Sequence, residues 1–193
     1  MKQHHIHFLK EFFRHPVQTG ALAPSSQHLA DRIANSLDLS TAKVVIEYGS
    51  GTGALTSSIL SRLSPDCRFI AVEQNPVLVA MLRSRFPKIE VIEDSVENIQ
   101  AICRSAGITS VDCIVSGLPW AAFPEHFQTN LLEATMSVLR PGGQFATFAY
   151  LIGLPLPRGQ MFKKNLLSYF SEVRVSRPIW LNFPPAIIYS CRR

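Results

Sequence analysis

The 193-residue sequence is short of acidic residues, of paired cysteines and of long apolar runs, and each shortage narrows what the chain can be. Its 14 Asp and Glu face 19 Lys and Arg, a formal charge of +5. The imbalance falls late: from Pro141 onward Arg158, Lys163, Lys164, Arg174, Arg177, Arg192 and Arg193 stand against the single acid Glu172. A cationic C-terminal third favours an anionic partner, a phospholipid surface or a nucleic acid, and charge alone does not choose between them. Cys67, Cys103, Cys113 and Cys191 are widely spaced with no Cys-x-x-Cys pair, which argues against a disulfide frame or zinc site and for reduced, buried thiols. The longest apolar stretch, 145–156, falls short of the about 20 residues that span a bilayer and is interrupted by Gly153 and Pro155. The N-terminus lacks the continuous apolar segment and small-residue cleavage site of a secretory signal, so a cytoplasmic protein is expected. With 47% hydrophobic and 17% charged residues and no internal repeat, disorder is excluded and one compact core is expected.

Short β-rich runs alternate with helical spacing along most of the chain. Strands are expected at 43–48, 68–72, 89–92, 111–115 and 144–150. Helices are expected at 54–63, 76–85, 96–105 and 124–139, the second capped by Asn75 with Pro76 at its first position and the last closed by Arg140-Pro141-Gly142-Gly143. Near-continuous apolar strands in βα units imply right-handed crossovers and a parallel sheet covered on both faces, an α/β doubly wound architecture. The tail breaks the rhythm, with a helix at 161–169 and two extended runs, 173–179 and 186–191, that can pair as a hairpin-like edge. Residues 3–14, if helical, place Ile6, Phe8, Leu9, Phe12 and Phe13 opposite Gln3, His4, His7, Lys10, Glu11 and Arg14. Such an amphipathic segment suits an interfacial membrane helix and equally a lid over a cofactor. The expected division is therefore 1–30, helix and lid segment, and 31–193, the main domain. His4, His5 and His7 lack the partners of a metal site, and no metal is expected.

Gly49, Gly51 and Gly53 stand where the first strand gives way to a helix, in Glu47-Tyr48-Gly49-Ser50-Gly51-Thr52-Gly53. Glycine lets the backbone turn sharply and a ligand approach with no Cβ in the way. The spacing Gly49-x-Gly51-x-x-Ala54 also satisfies the dinucleotide fingerprint, so the loop alone does not separate NAD or FAD from another nucleoside. Glu47 shifts the balance. A carboxylate at the strand end repels a pyrophosphate but suits the cationic methionine end of S-adenosylmethionine (AdoMet), which carries no phosphate. Glu73, ending the second strand, is placed to accept hydrogen bonds from ribose hydroxyls, a need that NAD and AdoMet share. Asp94 and Ser95 follow the third strand, where they can meet an adenine edge, and the same residues can cap the next helix.

Ser116-Gly117-Leu118-Pro119-Trp120 ends the fourth strand, where open α/β sheets meet their ligands. The loop resembles the Asn-Leu-Pro-Tyr motif of enzymes that dimethylate adenine in ribosomal RNA, with Gly117 at the Asn position. Without that side chain there is no acceptor to orient a planar amine. Trp120, Phe123 and Tyr150 instead offer aromatic faces to an aliphatic amine or ammonium, worth about 1–2 kcal/mol when desolvated. The competing reading packs Trp120 as core. The Tyr150 hydroxyl is the candidate catalytic group, an acceptor that helps the amine shed its proton.

Over nearly its whole length the sequence resembles the small, soluble bacterial phosphatidylethanolamine N-methyltransferases. The resemblance is carried by Gly20-Ala21-Leu22-Ala23-Pro24-Ser25-Ser26, Glu47 to Gly53, Val72-Glu73, Val115-Ser116-Gly117-Leu118-Pro119 and Asn182-Phe183-Pro184-Pro185-Ala186. It implies a Rossmann-like, mostly parallel seven-stranded sheet with an antiparallel terminal strand and an N-terminal helical extension. It implies AdoMet as cofactor, held at Gly20, Glu47, Gly49, Gly51, Gly53, Glu73, Asp94, Ser95, Ser116 and Leu118, and an acceptor pocket at Trp120, Phe123 and Asn182. It further implies peripheral membrane association through the N-terminal helix and a phospholipid substrate at an anionic membrane surface. A ribosomal RNA adenine dimethylase-like protein and a small-molecule amine methyltransferase are the alternatives.

Overall fold

The computed structural model of the chain describes residues 26–193. Gly20 and the amphipathic segment 3–14 lie outside the described residues. The first helix, α1 (Gln27–Ala34), starts where the Ser26 hydroxyl accepts the Leu29 N–H, and its inward face is Leu29, Ala30, Ile33 and Ala34. The expected boundary at residue 30 therefore falls inside a helix whose buried face belongs to the main core.

Seven strands form one sheet. They are β1 (Val44–Tyr48), β2 (Arg68–Glu73), β3 (Glu90–Glu93), β4 (Val111–Ser116), β5 (Leu139–Tyr150), β6 (Glu172–Val175) and β7 (Ala186–Arg192), in the spatial order β3-β2-β1-β4-β5-β7-β6. The first five are parallel, and β7 runs antiparallel between β5 and β6. The antiparallel strand thus lies one place in from the edge, which β6 forms. Strand order reverses between β1 and β4, the switch point at which doubly wound sheets open a crevice.

Burial on both faces explains the continuous apolar strands. Val45, Ala71, Cys113, Val115, Ala146 and Ile188 face a layer built on α1, α2 (Ala54–Leu60) and α3 (Pro76–Arg85). Ile46, Tyr48, Ile70, Val72, Ile114 and Phe145 face the opposite layer of α4 (Ile99–Ser105), α5 (Glu125–Val138) and α6 (Pro157–Tyr169). Asn75 caps α3 as its sequence predicts, its Oδ1 accepting the Val77 N–H at 3.0 Å.

Three local expectations are revised. The helix expected at 96–105 splits into a 3-10 turn, Val96–Asn98, and α4, because Ser95 caps the turn through the Glu97 N–H. Residues 140–143, expected to close a helix, lie inside β5 as a wide bulge: Val111 pairs with Leu139 but Cys113 with Gln144. The bulge is tied to the chain end by Gly142 N–H to the Arg193 carbonyl at 3.0 Å and Arg193 N–H to the Gly143 carbonyl at 2.9 Å. Helix α6 begins four residues before its expected start, at Pro157, whose fixed φ suits the first helical position.

Candidate functional site

The C-terminal ends of β1, β2 and β4 converge on the glycine loop 49–53. In parallel register Tyr48 sits beside Val72 on one side and Ser116 on the other, so the loops leaving all three strands meet there. Gly49, Gly51 and Gly53 take φ of +66°, +56° and +82°, the left-handed region that favours glycine. At Gly49 there is a second constraint, since a Cβ would sit 2.6 Å from Leu118 Cδ2. Leu118, 5% exposed, is thereby packed beneath the loop.

Glu47 is fully buried at the end of β1. Its Oε2 accepts the Thr56 hydroxyl at 2.6 Å, while Oε1 has no hydrogen-bond partner. Desolvation pushes its pKa up to about 7, with the Thr56 contact opposing and the nearby Glu73 charge adding to the rise. Beside it the Ser50 hydroxyl is likewise buried; it makes no hydrogen bond of ordinary geometry, yet lies close enough to the Glu47 carboxyl to favour its ionised form, as Thr56 does. Glu73, also buried, braces the loop: Oε2 accepts the Gly51 N–H at 2.9 Å and Oε1 the Asn75 N–H at 2.9 Å. Burial raises its pKa and those backbone bonds pull it back. Each carboxylate oxygen retains a second lone pair for a ligand hydroxyl.

An unpaired acid oxygen in a dry site calls for a donor, and a glycine cradle calls for a ligand lying close to the backbone. Glu47, the loop and Glu73 together fit a nucleoside carrying a cationic tail. They do not fit a pyrophosphate, which the Glu47 carboxyl would face.

A family model described as a methyltransferase domain matches residues 45–143. The ornithine lipid N-methyltransferase of Singulisphaera acidiphila is 36% identical over 189 residues, covering 96% of this chain and 94% of that protein. The chain belongs to the AdoMet-dependent methyltransferases. A probable ribosomal RNA small subunit methyltransferase A of Methanosarcina acetivorans is also 36% identical, but over 98 residues, 49% of this chain and 33% of that protein. In fold, the methyltransferase superposes on the Bacillus cereus O-methyltransferase solved in complex with SAH, with a TM-score of 0.71 at 14% identity over 95% of this chain and 91% of the other. AdoMet is the cofactor of this methyltransferase, and the geometry at Glu47 suits its charge.

The remaining expected site residues of the methyltransferase divide. Ser95 caps the 3-10 turn, and Asp94 Oδ1 accepts the Ser95 N–H at 2.6 Å and the Asn98 side-chain amide at 2.8 Å, so the capping role is filled. The Asp94 N–H meets the Glu73 carbonyl at 3.2 Å, which sets the pair beside Glu73. Ser116 is fully buried, its hydroxyl accepting the Trp120 indole N–H at 2.9 Å and the Leu118 N–H at 3.3 Å.

Trp120 and Phe123, expected to line an acceptor pocket, are core residues at 1% and 0% exposure. The Trp120 ring stacks on Phe162 at 4.8 Å and meets Phe145 edge-on at 5.9 Å, so its faces are occupied by protein. Both belong to the layer of α4 to α6, on the opposite side of the sheet from Glu47. Tyr150 does lie on the Glu47 side: side chains alternate along a strand, and Phe148 and Tyr150 pack against the layer of α1 to α3. It is half-buried, and burial raises its hydroxyl pKa. Asn182, 2% exposed, is spent on structure, accepting the Ser26 N–H at 2.9 Å and donating to the Pro184 carbonyl at 2.7 Å. Sequence reasoning missed Thr56. The available signal for Thr56 was a hydroxyl at an inward-facing position of α2, between Leu55 and Ile59.

Proposed function

We propose that the methyltransferase moves the AdoMet methyl to the amine of a lipid headgroup, phosphatidylethanolamine or an ornithine lipid, while peripherally bound to a membrane. The observation that carries this reading is end-to-end similarity to an ornithine lipid N-methyltransferase, 36% over 96% of the chain, where the ribosomal RNA enzymes match over only about half. Gly117 supports it. A Cβ there would lie 2.7 Å from the Gly49 carbonyl oxygen, so the backbone leaves no space for the Asn side chain that orients adenine in the RNA enzymes.

In this reading Glu47 holds the cationic methionine end, the backbone of Gly49, Gly51 and Gly53 lets the cofactor lie close, and Glu73 takes the ribose hydroxyls. Asp94 and Ser95 border the adenine, with Leu118 and the Ser116 carbonyl forming the wall toward β4. AdoMet supplies an electrophilic methyl on a sulfonium, which passes to the amine lone pair as the carbon–sulfur bond breaks. The chain's task is then alignment and delivery of an unprotonated amine. The neutral Tyr150 hydroxyl, whose pKa burial raises further, accepts a hydrogen bond from that amine and orients its lone pair. The segment ahead of α1 serves as lid and membrane contact for the domain that α1 opens. Among the described residues no helix is long and apolar enough to cross a membrane, in keeping with a surface-bound enzyme.

The test is transfer of radiolabelled methyl from AdoMet by purified protein to phosphatidylethanolamine vesicles, ornithine lipid vesicles, bulk RNA and soluble amines in parallel. Label in either lipid that is lost on Glu47→Ala supports the reading, and the two lipid arms identify the headgroup. Label confined to RNA or a soluble amine overturns it.

A further inference from the structure

The connection between β6 and β7 inverts the usual placement of side chains. Trp180, Leu181 and Phe183 are 72%, 74% and 78% exposed, while the polar Asn182 between them is 2% exposed. A single exposed apolar side chain is ordinary on a protein surface, but three large ones in four consecutive residues form a patch. The turn is also braced. Asn182 ties it to Ser26 and to Pro184, Ile179 and Ala186 exchange backbone bonds of 2.7 and 3.4 Å, and Leu151 N–H meets the Pro185 carbonyl at 2.8 Å. A buried hydrogen-bonding side chain therefore holds apolar groups outward, an arrangement that costs solvation unless something covers them.

Its position and charge point to the partner. Ala186 pairs with Tyr150, so the turn stands at the C-terminal end of β5, the end of the sheet where the glycine loop lies. On its α6 side runs a groove of about 550 Å³ with Leu151, Pro178 and Ile187 along its apolar wall and Lys163 and Lys164 on its rim. Arg177 is exposed three residues before Trp180. Aromatic and aliphatic tips flanked by Lys and Arg match the headgroup region of a bilayer, where rings sit in the interface and cations meet phosphates.

We infer that the turn Trp180-Leu181-Asn182-Phe183 is a membrane-docking element, inserting its three apolar side chains into a phospholipid surface rich in anionic headgroups and so setting the cofactor end of the sheet against the lipid. The inference rests on the lipid-methylating reading, since a soluble acceptor needs no such contact. It assigns to the β6–β7 turn a docking role beside any made by the N-terminal segment.

Trp180 is its own reporter, because the chain's other tryptophan, Trp120, is enclosed in the core. The full chain is mixed with phosphatidylglycerol vesicles, which offer no amine and so permit no turnover, and with the same vesicles carrying brominated acyl chains. Expected are a blue shift of tryptophan emission, quenching by bromine, and loss of both in Trp180→Phe. The triple variant Trp180→Ser, Leu181→Ser, Phe183→Ser should bind vesicles at least about tenfold more weakly, the scale of losing one or more buried apolar side chains. Its AdoMet affinity by calorimetry and its methyl transfer to detergent-dispersed phosphatidylethanolamine should match the parent. Emission that is unmoved by vesicles, emission already blue and shielded in the free protein because residues 1–25 or a second copy cover the turn, or a triple variant that binds as tightly as the parent each overturn the inference. Failure of the lipid reading is distinct: docking persists while no lipid is methylated.

Discussion

The Thr56 hydroxyl donates to Glu47 Oε2 at 2.6 Å and leaves Oε1 of the same buried carboxyl with no partner. The helix that follows the glycine loop thus fixes one oxygen of the acid and leaves the other unpaired. Thr56→Val removes the donor at nearly constant volume and withdraws the contact that stabilises the ionised form, so the Glu47 pKa moves further up. The expected outcome is AdoMet binding weakened about tenfold at neutral pH, the scale of one hydrogen bond to a charged group, measured by calorimetry. Unchanged affinity would remove Thr56 from the site.

Glu47 also makes the ligand-free protein sensitive to pH. Its folded-state pKa of about 7 lies above the ordinary glutamate value of 4.5, so the folded state holds its proton longer than the unfolded state does. Stability is then lost as pH rises from about 4.5 through about 7, by about 3 kcal/mol, because the ionised carboxyl is buried without full compensation. Glu47→Gln should flatten this segment of the urea-unfolding profile, be more stable than the parent at about pH 8, and bind AdoMet poorly. The parent's affinity should strengthen over the same pH interval as the carboxyl ionises. Parallel pH profiles for parent and variant would count against the assignment.

The glycine loop, the strand order and Asn75 are legible in sequence because their signals are local: φ-permissive residues at a strand end, apolar runs, a cap followed by proline. Trp120 is not legible in the same way. Whether an aromatic three residues beyond a loop glycine faces ligand or core depends on Phe162, 42 positions later, which supplies the stacking partner, and on the Ser116 hydroxyl, which takes the indole N–H. Asn182 reads as a pocket residue from its motif, yet its partners are Ser26 and Pro184, and the first of these lies 156 positions away. Long-range partners decided both.

That placement separates two aromatic substitutions. Trp120→Phe leaves the Ser116 hydroxyl without its indole donor and loosens the stack with Phe162, costing about 1–3 kcal/mol of stability with little change in KM for lipid. Tyr150→Phe keeps the ring packing against Phe148 at 5.4 Å but deletes the hydroxyl, so kcat falls while AdoMet affinity holds. Unfolding curves paired with steady-state kinetics distinguish them. A KM rise confined to Trp120→Phe would return that ring to the substrate pocket.

Gly117→Asn restores the residue type of the ribosomal RNA enzymes and should not restore their activity. The new Cβ meets the Gly49 carbonyl oxygen at 2.7 Å, a backbone contact that can be relieved only by moving the glycine loop. A stability loss of about 1–3 kcal/mol, weaker AdoMet binding and no label in RNA are expected. RNA methylation by this variant would show that the loop tolerates the shift and that a side chain was all the RNA reading lacked.

Asn182 allows the frame of the β6–β7 turn to be tested apart from its apolar tips. Asn182→Ala leaves the Ser26 N–H and the Pro184 carbonyl without their side-chain partner and should cost about 2–3 kcal/mol. Asn182→Asp is the sharper substitution. It keeps an acceptor for Ser26 but sets a buried carboxylate where the amide had donated to the Pro184 carbonyl at 2.7 Å, and like-signed oxygens repel. The introduced carboxyl's folded-state pKa rises above its unfolded value of about 3.9, so the variant is least stable above the folded pKa and recovers as pH falls through it, when the protonated acid can donate to that carbonyl. Urea unfolding at about pH 5 and about pH 8 should therefore rank this variant below Asn182→Ala at the higher pH and level with or above it at the lower. The same ranking at both pH values would mean that the carboxyl turns out to solvent and that Asn182 is not what holds Trp180, Leu181 and Phe183 outward.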